Sequence, residues 1–418
     1  MSRFPKSETI FLSFLVIFNL VLRIVRLDKP PVPYLNEKYF ILPAVRDILK
    51  GLGDTQPITP PSPLGKLLFA FSIKMFGDNP LGWRILSVIF ATISVIITYF
   101  LAKEITDNKT VAKIAAILLT FEFAFFVHSR SADPEALVIT FVLLSLLFAW
   151  KIISNYQLRW TIASGLSLGL AIAIKPQAFL IIIAVILAIL ILLGTQFRKR
   201  IYLSFLILFI SGCIYLVIYL PVFQKGGIMG FVTLHQAILQ YHTQYWPQNY
   251  YQVMSQSEYG PRLPQFNKYL RQPITWLQNP KIVYFEQNTQ DKKQVVLFTF
   301  HPAIFFPTTA IFLLALLLQF RKKDRKIIFL LLVASSAYFP YLLSSLYKPL
   351  TYPPYYFLSS LPPLIILLSF FLCWLWHKAK MLLVIYLIIV VVLFIIYYPL
   401  LTAIPIDYQY FQSISSLK

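Results

Sequence analysis

An all-α protein that crosses a membrane about eleven times follows from three features of the sequence: its composition, the length of its apolar runs, and the position of its basic residues. Of 418 residues, 58% are hydrophobic and only 13% charged, and the mean hydropathy is +0.71. A soluble domain carries about twice that charged fraction. Apolar runs recur from end to end, and roughly 20 such residues cross a hydrocarbon core about 30 Å thick. Lipid offers free backbone groups no partner, so these spans must be helices. The alternating pattern of a membrane barrel is absent.

The spans are expected at 9–27, 82–101, 111–128, 135–153, 160–174, 177–194, 201–221, 301–320, 327–347, 356–376 and 381–400. Only Lys175-Pro176 separates the fifth from the sixth. Arg3 and Lys6 precede the first run, as in a signal peptide, but no small-residue cleavage site follows, so it reads as a retained helix. With the N-terminus inside, the inner links hold Arg3 and Lys6, Lys103 and Lys109, Lys151 and Arg159, Arg198 to Arg200, Arg321 to Lys326, and Lys378 with Lys380. Every inner link is then basic, as the positive-inside rule asks. The C-terminus falls outside, and the expected location is the plasma membrane.

Two outer segments are long. In 28–81, the stretches 37–50 and 64–76 read as amphipathic helices lying at the interface. The second, 222–300, is rich in Tyr, Gln, Asn, Trp and Pro, and its aromatic content argues against disorder. The expected organisation is an N-terminal transmembrane module over 1–221 carrying the first outer loop, a large outer loop over 222–300, and a C-terminal module over 301–418.

The net charge of +21 sits mainly in the links, where topology explains it, so nucleic acid is excluded as a partner. Cys213 and Cys373 both lie in apolar runs and make no disulfide framework. No Walker loop, nucleophile elbow or dinucleotide glycine pattern is present.

Ionisable groups at membrane depth are costly and therefore mark function or a stabilising ion cluster. The densest set is "FEFAFFVHSRSADPEAL", with Glu122, His128, Arg130, Asp133 and Glu135. Glu122 and Arg130 are eight residues apart, two helical turns, and would share a face. Asn36-Glu37 follows the first span, and a carboxylate there suits a general base, a cation ligand or a plain loop acid. Lys66 falls in the first turn after "PPSPLG", a phosphate-binding position or a lysine snorkelling at the surface. Lys175 stands alone between two apolar runs. His235 and His242 share a helix face but lack accompanying ligands, so no metal site is expected.

Together these segments resemble the protein O-mannosyltransferase family of membrane glycosyltransferases, of the GT-C fold. The family's first-loop pattern is matched by "PPVPYLNEKYF", its "HPPLGK" by "PSPLGK" ending at Lys66, and its "G.R" by Gly82-Trp83-Arg84. "FEFAFFVHSRSADPE" is similar to the family's acidic and arginine motif, and "GLSLGLAIAIK" to the stretch that ends at Lys175. "YKPLTYPPYYFLSSLPPLI" looks like the late outer loop, with Lys348 near the family's arginine. Asn36 stands where the family has the aspartate assigned as base, and Pro61 where it has histidine.

The resemblance implies transfer of a sugar, commonly mannose, from a polyprenyl-phosphate carrier to a hydroxyl, in the name-giving members of protein Ser or Thr, on the outer face of the membrane. Glu37, beside Asn36, becomes the expected base or acceptor-orienting group, with Lys66, Arg84, Glu122, Arg130, Asp133, Glu135, Lys175 and Lys348 as the expected substrate and phosphate set. A divalent cation is left open as cofactor. The partners implied are the lipid-linked donor, a protein or glycan acceptor, and the bilayer. The competing readings are a related transferase acting on lipid or cell-wall glycan, a transporter or flippase, and a non-catalytic partner subunit.

Overall fold

α1 (Lys6–Ile24) divides lipid from bundle along one helix. Ile10, Phe14, Ile17 and Val21 form an exposed apolar stripe at helical spacing, while Glu8, Leu15, Asn19 and Arg23 are buried on the other face. An exposed apolar face over a buried polar one is the inverse of a soluble helix and matches a lipid surround. The computed structural model describes residues 6–54, 62–244, 267–289, 291–347 and 350–415.

After α1 the chain makes a π-helical turn over Glu37–Ile41 and two short helices, α2 (Leu42–Leu49) and α3 (Pro63–Phe76). Helix is found in both stretches, 37–50 and 64–76, where amphipathic helices were expected, the first of them beginning as the π-helical turn. The bundle continues with α4 (Pro80–Thr106), α5 (Lys109–Phe121), α6 (Phe123–His128), α7 (Glu135–Ser154), α8 (Leu158–Ile174), α9 (Phe179–Leu192) and α10 (Phe197–Ile218). α11 (Leu220–Gln244) follows, kinked at Gly227. A hairpin, β1 (Ile282–Asn288) and β2 (Lys292–Phe298), precedes α12 (Pro302–Lys322), α13 (Arg325–Ser336), α14 (Phe339–Tyr347), α15 (Leu361–Lys378) and α16 (Lys380–Leu401). β3 (Ile406–Asp407) joins the far side of β2, and α17 (Tyr408–Ser415) ends the described chain.

Helices occupy all eleven expected spans. Among the described residues, seven are long and apolar enough to cross a membrane, and eight if α13 and α14, bent by 43°, count as one. The bend falls before Pro340, which has no N–H to continue the ladder and whose ring would meet the carbonyl of Ser336. The expected span 111–128 is divided at Glu122, whose backbone is extended. α8 and α9 have 17 and 14 residues, shorter than a full span. The all-α expectation holds for the bundle, and the three-stranded antiparallel sheet, ordered β1-β2-β3, corrects it outside. "IVYFEQN" is rich in strand formers but was submerged in a long aromatic loop.

α8 packs between α7 and α10. Gly165 and Gly169 set its contact with α10: a Cβ at Gly169 would meet Ile214 Cβ at 2.7 Å and Ser211 O at 3.0 Å. This is a small-xxx-small crossing, a signal present in "GLSLG".

The basic links gather at one end of the bundle. Glu8 accepts from Tyr99 at 2.9 Å, pairs with Lys103, and lies 2.9 Å from Lys109. Lys151 pairs with Glu104 at 2.7 Å, and Arg325 donates to Ile153 O at 3.2 Å and to Leu192 O at 2.5 Å. Cations on the last carbonyls of α7 and α9 are favourable against the helix dipoles. The candidate site lies where the other ends of these helices meet.

Candidate active site

The approach to the site is held by two buried arginines. Arg84, fully buried in the first turns of α4, grips Glu37 with Nε at 2.8 Å and Nη2 at 2.9 Å. Its remaining hydrogens reach Leu27 O and Pro30 O at 2.9 Å and Val32 O at 3.2 Å. Arg130 donates to Arg23 O, to Val25 O at 2.8 Å and to Arg26 O at 2.9 Å, capping the end of α1. Between them these guanidinium groups satisfy the carbonyls of the chain leaving α1, which a dry environment would otherwise leave costly.

Glu37 is saturated. Beyond Arg84, its Oε1 accepts from Ala132 N at 2.7 Å and its Oε2 from Tyr34 N at 3.4 Å. A fully buried carboxylate whose oxygens all hold donors is a brace between the first loop and the 128–135 segment. The sequence expectation of a free base at Glu37 meets this occupancy.

The carboxylate beside it is Asp133. Asn36 Nδ2 donates to Asp133 Oδ2 at 2.6 Å, and Glu135 N donates to Oδ1 at 3.0 Å. His128 Nδ1 lies 3.3 Å from Oδ2, without the geometry of a full hydrogen bond. His128 Nε2 is 3.2 Å from the Tyr284 hydroxyl, so the hairpin reaches this cluster. Asn36 also contacts the Tyr355 hydroxyl at 3.3 Å. Burial alone would raise the Asp133 carboxyl, but the His128 ring, Lys175 and the Glu135 N–H outweigh it and hold it below the usual carboxylate range. Burial, with the Asp133 charge second, keeps Tyr284 a protonated phenol.

Two residues on, Glu135 pairs with Lys175, which follows α8. The Lys175 ammonium lies 4.5 Å from the ring centroid of Tyr356 and 5.0 Å from that of Tyr355. Glu135, Lys175, Gln177, Tyr341 and Tyr356 line a pocket of about 20 Å³, in which both amide atoms of Gln177 are buried without a hydrogen-bond partner. A larger cleft, ≈ 560 Å³, opens on the Tyr284 side, between residues 32–39 and β1.

Asn36, Asp133, Glu135 and Lys175 are thus brought together, with Glu37 and Arg84 directly behind. Glu122 is not a member. It caps α6, accepting from Phe125 N at 2.6 Å, and accepts His301 N at 3.1 Å. That use of both oxygens, and the break it makes before α6, replaces the shared face with Arg130. Lys66 is buried and pairs with Asp54 at 2.8 Å, beside an apolar groove that also includes Lys225. Lys348 and Pro61 lie outside the described residues. His235 bonds the Tyr215 hydroxyl at 2.7 Å and Phe231 O at 2.8 Å, and His242 is outside the described side chains. Among the described residues no group of three or more His, Cys, Asp or Glu could hold a metal ion. His128, named in the sequence with its neighbours but given no role, joins the site, and Gln177, Tyr284, Tyr355 and Tyr356 join it without having been chosen from sequence. "PPYYF" follows a proline turn, a usable signal for the two tyrosines, whereas nothing local distinguishes Tyr284 or Gln177.

The fold defined by this bundle is the GT-C fold of integral membrane glycosyltransferases. A Saccharomyces cerevisiae protein O-mannosyltransferase complex bound to the sugar donor superposes with a TM-score of 0.80 at 12% identity, over 100% of this chain and 93% of that one. The undecaprenyl-phosphate-bound ArnT of Cupriavidus metallidurans superposes with a TM-score of 0.57 at 13% identity, over 87% and 60%. Residues 59–224 match the profile of the dolichyl-phosphate-mannose-protein mannosyltransferase family. The resemblance that the motifs carry is borne out over that stretch. A Corynebacterium glutamicum polyprenol-phosphate-mannose–protein mannosyltransferase is 24% identical over 212 residues, 41% of this chain and 40% of that protein. An uncharacterized Aquifex aeolicus protein is 32% identical over 88 residues, 21% of this chain and 17% of that protein. The chain therefore spans less than half the length of these curated relatives.

Proposed function

We propose that this protein is a glycosyltransferase that moves mannose from a polyprenyl-phosphate carrier to a Ser or Thr hydroxyl of a protein. The observation that carries the reading is the joined pair of clusters, Asn36–Asp133–His128 and Glu135–Lys175, set between a large basic cleft and the small pocket that Glu135 and Lys175 line. The family match at 59–224 and the named relatives support the donor and the acceptor class.

In this reading the acceptor hydroxyl gives its proton to Asp133. The hydroxyl oxygen bonds to the anomeric carbon as the bond from that carbon to the carrier phosphate breaks. The phosphate leaves with the electron pair, and Lys175 neutralises it. Asp133 is preferred to Glu37 because the Arg84 guanidinium and two N–H groups hold Glu37, and in this reading Glu37 positions the loop that carries Asn36. The N-terminal module, the outer loop and the C-terminal module divide the work: donor and acceptor chemistry in the first, acceptor contact in the second, lateral closure in the third. The plasma membrane is the proposed home. The end of the bundle holding the basic links faces the cytoplasm, which puts the site on the outer side; the positive-inside rule supports this.

The test is a transfer assay with purified protein in lipid, radiolabelled polyprenyl-phosphate-mannose and a Ser/Thr-rich peptide. Wild type should label the peptide, and Asp133→Asn should lower turnover by about 10²–10⁴. Wild-type protein that labels no peptide would overturn the reading, and label in a glycolipid instead would move it to a different acceptor.

A further inference from the structure

The ≈ 560 Å³ cleft is lined on one wall by residues 282–286, five consecutive positions of β1. Successive strand side chains point to opposite faces, so a cavity that meets all five must run along the strand's edge. β1 is an edge strand of the described sheet, since β2 covers only its other side. The strand is irregular between Val283 and Phe285, and the Tyr269 hydroxyl reaches the Tyr284 carbonyl at 3.5 Å. The opposite wall is the segment around Tyr34 that leads into Asn36.

The charge in this cleft is one-sided. Among the described residues, Lys38, Lys268, Arg271 and Lys281 line it, against the one carboxylate of Glu286. That carboxylate is engaged by Lys293 at 2.8 Å. The cleft borders the site, since Tyr284 lines it and touches His128, and Leu35 lines it and adjoins Asn36.

We propose that this cleft receives an extended, acidic peptide segment, which adds to the edge of β1 as a further strand and presents its hydroxyl residue toward Asp133. The proposal rests on the transferase reading and names the acceptor's chemistry. An open strand edge offers N–H and C=O groups at the repeat of another peptide, and main-chain pairing gives affinity without demanding a sequence. Specificity then comes from the four cations, which favour Asp and Glu flanking the acceptor residue. Five strand residues at about 3.3 Å each span roughly 13 Å between first and last, so the bound segment is four or five residues long. Basic or strongly folded segments are excluded by charge and by shape.

The experiment measures peptide binding without any sugar donor, using full-length protein in nanodiscs and a fluorescent peptide with a central Thr flanked by Asp and Glu. The comparison peptides carry Asn and Gln in their place, or N-methyl groups at alternate residues. The acidic peptide should bind about tenfold tighter than its neutral analogue, and the advantage should fall as salt rises. Lys268→Gln with Lys281→Gln should remove the advantage, and the matching Lys→Arg pair should keep it; thermal unfolding checks that both variants are folded. Equal binding of acidic and neutral peptides, no loss on N-methylation, or an unchanged preference in the Gln pair would overturn the proposal. So would binding of an anionic glycolipid headgroup but not of the peptide. Because no donor is present, these outcomes are separate from the transfer assay. A protein that transfers mannose equally to acidic and neutral peptides keeps the transferase reading and loses this one.

Discussion

Asn36 and Asp133 meet across 2.6 Å, an amide donating to a carboxylate, and so join the first loop to the turn before α7. The amide lets two segments distant in sequence approach without like-charge repulsion. His128 and Lys175 face the same carboxylate from α6 and from the end of α8.

Asn36→Asp should turn this contact into a carboxyl pair. Two such groups cannot both ionise at that separation, so one of them takes a raised pKa. A raised native value stabilises the fold below the unfolded pKa and is lost as pH rises through the native one. The melting temperature of the variant should match wild type in acid and fall behind it progressively toward pH 8. A gap that does not widen with pH would show that the two groups do not share a proton.

Asp133 has the opposite sign in the wild-type protein. Its native pKa is held below the unfolded value of about 3.9, so its ionised form stabilises the fold above that value and the contribution is lost as pH falls through the native pKa. Asp133→Asn should be less stable than wild type near neutrality, and the difference should shrink in acid. Thermal unfolding across pH measures it, and a difference independent of pH would contradict the assignment.

Glu37→Gln should cost about 3–5 kcal/mol, since it leaves Arg84 buried without its counter-charge. Pairing it with Arg84→Met should cost much less than the sum of the two single changes. A Glu37→Gln protein as stable as wild type but inactive would return the base role to Glu37.

Lys175→Met should lower the transfer rate by about 10²–10³ while leaving peptide binding in the cleft unchanged, because its proposed partner is the leaving phosphate. Lys175→Arg should recover part of the rate. Loss of peptide binding in Lys175→Met, rather than of rate, would mean that the residue serves the fold.

Gly169→Val should destabilise the protein through the α8–α10 crossing, where the added carbons meet Ile214 and the Ser211 carbonyl. Overpacking of this kind costs about 1–3 kcal/mol, and Gly212→Ala, which faces open space, serves as the control. Equal melting temperatures for the two variants would show that the helices separate at no cost.

The helical bundle, its apolar helices and the two short helices of the first loop were legible in the sequence, because lipid forces backbone satisfaction within each segment and hydropathy then marks the segment directly. The division at Glu122 was not: the residue reads as one more intramembrane acid until Phe125 N and His301 N are seen to hold it. The hairpin escaped for a similar reason, since its strands are stabilised by β3, more than a hundred residues away.

The sequence by itself determined a polytopic helical membrane protein and pointed for the chemistry to 36–37, 66, 84, 122–135, 175 and 348. Tertiary structure alone decided how those charges are partnered. Glu37 and Asp133 are both acids at the same end of the bundle. Arg84 and two backbone N–H groups hold one, while the Asn36 amide, the Glu135 N–H and the His128 imidazole meet the other, and His128 in turn touches Tyr284 at the cleft. The partners that distinguish the two acids, Arg84 and Ala132 for one and Asn36 for the other, come from segments roughly 50 to 100 residues away, and no local pattern records them.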